Sequence, residues 1–293
     1  MQNKLRVLSV GIFFFAGALG AVACSSSDDK KSTSGENPKA GYVTLTNTKL
    51  TVGGTTVGNY TVAAGFIDGS GTKMSGEQAC ETSKEASCEI KICELQGQDG
   101  GADNDAGLPK IVHAGVIDIT GAQLPVTKLS PDSSGSYKSI ADRKSVWTGG
   151  EDIKIHAAGN PSGVGEFTAN MKAPSLVKVA GPAWGATSVK IPRSKDLDLT
   201  WSAEGTASGQ VKVILMDQGK SKVASAECSF PATEKKAKIP SSVLGKLQAG
   251  QGLFYVRAYE EATQAVSGYE VKLTLTAPAA REGGQATSVA IFE

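Results

Sequence analysis

In residues 196–201, Asp-Leu-Asp-Leu-Thr-Trp, hydrophobic and polar side chains alternate without a break. That period puts Leu197, Leu199 and Trp201 on one face of an extended chain and Asp196, Asp198 and Thr200 on the other, the pattern of a half-buried strand. Similar runs recur along the chain. YVTLT, NYTVAAGFI, CEIKI, IVHAGVIDI, DIKIHA and EFTANM precede it; QVKVILM, KVASAECSF, GLFYVRAY, YEVKLTLT and TSVAIF follow. Gly, Asn and Pro stand between the runs, as turns require. With 35 glycines and few helical patterns, the expected fold class is all-β.

The pattern changes near KAPSLVKVAGP, so a boundary between two β-sandwich domains is expected at residues 173 and 174. This gives an N-terminal domain over 42–173 and a C-terminal domain over 174–293. The LTW strand and those after it resemble bacterial immunoglobulin-like or fibronectin-like domains, which implies immunoglobulin-like or jelly-roll-like sandwiches. AGYVTLTNTKL at 40–50 echoes AGVIDITGAQL at 114–124, as two similar strands of one sandwich would. Helix is expected in two places. In IPSSVLGKL, Ser241 or Ser242 is positioned to cap a short turn ahead of Val243, Leu244 and Leu247. In SGEQACETSKEAS, at 75–87, Ser75 and Gln78 stand at capping-box spacing.

The first residues have a different character. Lys4 and Arg6 precede an apolar run over 7–19, and Ala21, Val22 and Ala23 lead to Cys24, the layout of a secretory signal. Even counted over 7–23, the run has 17 residues with three glycines, at the bottom of what a spanning helix needs. The segment resembles a bacterial lipoprotein signal peptide, whose lipobox ends in a small residue followed by cysteine. That resemblance implies removal of residues 1–23 and a diacylglycerol-modified Cys24, usually with a further acyl chain on its nitrogen, anchoring the protein to a lipid bilayer. Two or more acyl chains anchor stably where one does not. Ser25, standing where Asp would favour the inner membrane, implies the outer membrane, with the folded part facing the periplasm or the cell surface. Residues 24–41 are polar and without apolar period, and are expected to be a disordered tether.

Four cysteines remain: Cys80, Cys88, Cys93 and Cys228. An even number in an exported chain points to two disulfides with three possible connectivities. Cys88 and Cys93 are five apart on what reads as a strand, so they face opposite ways and beyond bonding reach. Cys80 then takes one and Cys228 the other. The preferred pair is Cys80 with Cys88, because it closes a short loop. A zinc site competes, but the spacing lacks paired C-x-x-C and neither histidine lies alongside.

Residues suited to chemistry are sparse. The chain has two histidines. His156 reads as solvated on a face with Asp152 and Lys154, and His113 has no evident partner; no G-x-S-x-G elbow supports a hydrolytic triad. Gly219, Lys220 and Ser221 match the tail of a phosphate loop, but Ile214 stands where its first glycine belongs, so the stretch reads as a hairpin turn. Asp99, Asp103 and Asp105 fall in the glycine-rich QDGGADNDAG and could converge on calcium as a stabilising ion, although the EF-hand spacing is incomplete. No other cofactor is expected. Trp147 and Trp184 sit beside turn residues, where an exposed ring would stack on sugars, although capping a core is the commoner use.

The 30 basic and 29 acidic side chains nearly cancel, and no basic patch favours nucleic acid. The function expected from these readings is a non-catalytic structural or binding module of the cell envelope, with an unidentified glycan or protein partner. It resembles the two-sandwich lipoproteins of Gram-negative envelopes in layout and leader. A surface carbohydrate-binding protein and an envelope hydrolase are the alternatives.

Overall fold

The computed structural model describes residues 39–52, 54–69, 80–94, 109–124, 127–184, 188–219, 221–282 and 284–293. Nearly everything regular in them is strand. The chain begins with β1 (Lys39–Val52), β2 (Thr55–Asp68), β3 (Cys80–Glu85), β4 (Cys88–Glu94), β5 (Lys110–Val112), β6 (Ile117–Gly121) and β7 (Thr127–Leu129). There follow β8 (Ile140–Asp142), β9 (Asp152–Ala157), β10 (Phe167–Lys172), β11 (Val177–Gly181), β12 (Ser188–Ile191), β13 (Leu197–Ala203) and β14 (Gln210–Asp217). The last part holds β15 (Lys222–Pro231), β16 (Lys236–Ile239), the short helix α1 (Ser241–Leu244), β17 (Gly250–Val266), β18 (Tyr269–Pro278), β19 (Ala280–Arg281), β20 (Gly284–Gln285) and β21 (Thr287–Phe292).

Twelve strands form one large sheet whose main path runs β3-β4-β15-β14-β17-β18-β1-β2-β5, with β21 beside β17, β12 beside β21 and β8 beside β2. Two smaller sheets, β10-β9-β6-β7 and β16-β13-β11-β19-β20, complete the β-sandwich architecture. Each smaller sheet shares a core with one part of the large one. In the first core, Val43, Leu45, Val62, Phe66, Val271 and Leu273 meet Ile117, Ile119, Ile153, Ile155 and Met171. In the second, Ile90, Val213, Ala226, Phe254 and Phe292 meet Val179, Leu199, Trp201 and Ile239. The alternation read in residues 196–201 is reproduced: Leu197, Leu199 and Trp201 are buried and Asp198 and Thr200 exposed.

Strands from both sides of residue 173 build each core, because β18 lies beside β1 and β4 beside β15. β17 carries the sheet from one core to the other. Its residues 252–259 pair with β14, and its residues 257–266 pair with β18. Glu36–Glu293 accordingly form one compact unit. The expected boundary falls in a hydrogen-bonded junction: Ser208 Oγ donates to the Ala173 carbonyl at 2.6 Å, and the Leu176 N–H donates to the Thr148 carbonyl at 2.8 Å. Fully buried Ser175 belongs to the same junction, its hydroxyl donating to the Thr206 carbonyl and accepting the Ser208 N–H. β1 and β6, whose sequences echo one another, lie in facing sheets around the first core.

Two local expectations are corrected. Residues 80–85 of the segment expected to be helical form strand β3, which turns through Ala86 (φ 52°) and Ser87 into β4. Pairing with β4 satisfies its backbone, and the capping candidates Ser75 and Gln78 lie outside the described residues. The helix expected in IPSSVLGKL is present as α1, burying Val243 and Leu244, but neither serine caps it. Pro240 occupies the cap position, its carbonyl accepting the Val243 and Leu244 N–H groups, while the Ser241 N–H donates to Asp196 Oδ1 at 2.9 Å.

Candidate functional site

The region richest in unusual features is the β3-β4-β15-β14-β17-β21 part of the large sheet. Its first component is a pair of disulfides on opposite faces of β4. The hairpin register sets Glu85 opposite Cys88, and therefore Cys80 opposite Cys93; these two are joined. Cys88 lies opposite Cys228 on β15, and these are joined across 140 residues of sequence. The inference that Cys88 and Cys93 face apart holds. The preferred Cys80–Cys88 pair is corrected: Cys80 is five residues before Glu85, an odd number, so its side chain faces away from that of Cys88. Register outweighs the small entropic advantage of the shorter loop. Cys88 and Cys228 are buried in the second core, whereas Cys80 is exposed and Cys93 half-buried.

Beside the outer disulfide is a shallow depression lined by Cys80, Glu81, Ile92, Glu94 and Lys222. Lys222 Nζ meets Glu94 at 2.9 Å, and that contact holds the Glu94 carboxyl below the usual range. At the turn end of β3, Ser242 Oγ donates to Glu85 and Lys246 Nζ lies 3.0 Å from it, which lowers the pKa of that carboxyl too.

The second component is the outer face of β14, β17 and β21. Val211, Val213 and Leu215 face inward, so Ile214 and Met216 face outward; Phe254 and Val256 likewise leave Leu253 and Tyr255 outside. Met216 stands opposite Leu253, and Leu253 opposite Val289, forming an apolar row whose members are 39, 38 and 45 % exposed. Ile214 and Tyr255 form the next row inward. Burial pushes the Tyr255 phenol pKa up, and the Arg257 charge works against that. On this face Lys212 pairs with Glu227. Lys212 Nζ lies 3.0 Å from Glu227 and 4.5 Å above the Tyr259 ring, whose hydroxyl donates to Ser229 Oγ at 2.9 Å. Burial opposes ionisation of Glu227, but Lys212, with Arg257 and Lys91 adding to it, keeps its carboxyl below the ordinary range.

Sequence reasoning missed this face. The signal was present in the unbroken runs VILM and LFYV, which place apolar groups on both faces of central strands.

Trp147 and Trp184, stacking candidates for which capping a core is the commoner use, both pack against a core. Trp147 is 2 % exposed inside the first core. Trp184 is half-buried against the second core, with Phe254 at 5.2 Å and the Arg281 guanidinium over its ring, also at 5.2 Å. Both histidines are engaged by neighbours. His113 Nδ1 accepts the Gly115 N–H at 3.1 Å and its Nε2 meets the Asn160 amide at 3.1 Å, while His156 Nε2 lies 3.2 Å from Glu166. No serine hydroxyl is among these partners. The phosphate-loop look-alike joins β14 to β15, as the hairpin reading expects. Buried Asp217 organises it by accepting the N–H groups of Gly219, Ala224 and Gln248.

Cys24 and the calcium candidates Asp99, Asp103 and Asp105 lie outside the described residues. Among the described residues no cluster of three or more His, Cys, Asp or Glu is arranged to hold a metal ion, and no helix is long and apolar enough to cross a membrane. Comparison with known families finds none that the chain matches, and comparison with curated proteins finds no relative.

Proposed function

We propose that this chain is an exported envelope protein, anchored to a lipid bilayer through acylated Cys24, that acts as a non-catalytic structural or binding module. The observation that carries the reading is the pair of disulfides, one of them buried in a core and joining strands 140 residues apart. Such bonds form and persist in oxidising compartments and are rare in the cytosol. That fits the signal-like leader, and the lipobox resemblance supplies the anchor at Cys24 and, through Ser25, the outer membrane. The apolar row of Met216, Leu253 and Val289 supports binding over a purely scaffolding role, because it is exposed across three neighbouring strands. The carbohydrate reading loses its support with Trp147 in the core and Trp184 covered on its ring. Among the described residues, the hydrogen-bond partners of the two histidines include no serine or cysteine side chain, so these contacts lend the hydrolase reading no support.

The experiment is mass spectrometry of the amino-terminal peptide of the native protein, combined with protease shaving of intact cells. A lipid-modified Cys24 at the mature terminus is expected, together with membrane release of a Cys24→Ser variant. An unmodified thiol or a retained leader overturns the anchor, and with it the assigned location.

A further inference from the structure

The two disulfides differ in solvent access, one of the factors that govern reduction. Cys88–Cys228 is sealed in the second core, its sulfurs reachable only when the sandwich opens. Cys80–Cys93 lies on the outer face, with Cys80 exposed at the margin of the depression formed with Glu81, Ile92, Glu94 and Lys222. The strand that this outer bond secures has little burial of its own. Five of the six residues of β3 are exposed, the sixth is half-buried, and none belongs to either core. Among the described residues, the contacts that hold β3 to the sheet include its ladder with β4, the Glu85 contacts with Ser242 and Lys246 at its turn end, the attraction of Glu81 to Lys222, and the disulfide at its far end. A six-residue edge strand with no buried side chain is marginal by its ladder alone.

We infer that Cys80–Cys93 is a reduction-sensitive latch that determines whether β3 covers β4, or β4 (Cys88–Glu94) becomes the open edge of the large sheet. The reductant is a dithiol. One of its thiolates attacks Sγ of Cys80, the S–S bond breaks, and the electron pair leaves on Sγ of Cys93. The second thiolate then attacks the sulfur now joined to Cys80, closing the reductant's own disulfide and expelling Cys80 as thiolate. Two electrons pass to the protein and two protons from solvent complete the thiols. With the tie cut, β3 detaches from the Cys80 end towards Glu85. The groups of β4 that bonded it are then unpaired, forming a strand edge able to accept an extended peptide. Cys88–Cys228 stays closed and holds β4 to β15, so the edge forms without loss of the core.

The test uses the intact, oxidised protein and dithiothreitol as the dithiol. Aliquots are alkylated over time, the four cysteines are counted by mass spectrometry, and amide exchange is followed across residues 80–94 and 211–217. Cys80 and Cys93 are expected to be alkylated at least about tenfold faster than Cys88 and Cys228, because the buried pair waits on global opening. Exchange in 80–85 should rise to that of open chain while 211–217 stays protected. Equal alkylation rates, or β3 remaining protected after its bond is cut, overturns the latch. A Cys80→Ser, Cys93→Ser double variant gives an independent reading: the exchange pattern of the reduced protein supports the inference, and loss of protection throughout the second core overturns it.

Discussion

Asn47 and Trp147, 100 residues apart in sequence, are locked together in the first core: the Asn47 Nδ2 donates to the Trp147 carbonyl at 3.0 Å. The Asn47 Oδ1 accepts the N–H of the adjoining Val146, also at 3.0 Å. Asn47 is fully buried, so its amide is tolerated only because the neighbouring backbone engages both its oxygen and its nitrogen. The same contacts explain why Trp147 is core: they draw the loop before β9 down onto β1.

Replacing Asn47 with Ala strands the Val146 N–H, while the Trp147 carbonyl keeps the Ser145 hydroxyl at 3.3 Å. The expected loss is about 1–3 kcal/mol of unfolding free energy, the usual cost of one unsatisfied buried group. Urea unfolding of the oxidised protein measures it, and a change below about 0.5 kcal/mol, the usual surface range, would show that the loop is held by other contacts.

Glycine and aromatic residues exchange places on adjacent pairs of β1 and β2. Gly41 faces Phe66 on the buried side and Gly65 faces Tyr42 on the exposed side. A Cβ at Gly41 would overlap the buried Phe66 ring, whereas one at Gly65 would come 2.8 Å from a Tyr42 ring free to swing into water. Gly41→Ala is expected to cost about 1–3 kcal/mol and Gly65→Ala less than half of that. Thermal unfolding of the two variants, compared side by side, reads the difference; equal losses would refute the packing argument.

The disulfides should contribute unequally to stability. Closing loops of 140 and 13 residues restrains the unfolded chain by about 5 and about 3 kcal/mol respectively in the chain-entropy treatment. A Cys88→Ala, Cys228→Ala variant loses core contacts as well, so it should be the less stable of the two double variants in denaturant titration. The opposite order would mean that the outer bond carries native contacts beyond those of β3.

Glu227 provides a pH prediction. Its folded-state pKa is lowered, so its contribution to stability is present above the ordinary carboxylate value and is lost as the pH falls through the folded-state value. Burial is the largest single influence and acts in the opposite direction. Lys212→Met removes the principal counter-charge and should raise the Glu227 pKa, with stability near neutral pH falling. Carboxyl NMR titration checks the direction; an unmoved Glu227 would mean that Arg257 and Lys91 suffice.

Local order in this protein is written in its sequence. Period-two alternation identifies the strands and the buried members of residues 196–201, predicts that Cys88 and Cys93 face apart, and marks Val243 and Leu244 as the apolar side of α1. These are consequences of backbone geometry within a few residues. What lies beside each strand is not local. The parallel pairing of β1 with β18, the passage of β17 between two cores, the Cys80–Cys93 register, the burial of Trp147 and the apolar row on the outer face all depend on strands distant in sequence. Alternation gives a strand two faces but leaves both edges unassigned, and the hydrogen bonds along those edges are chosen only when the whole sheet closes around its cores.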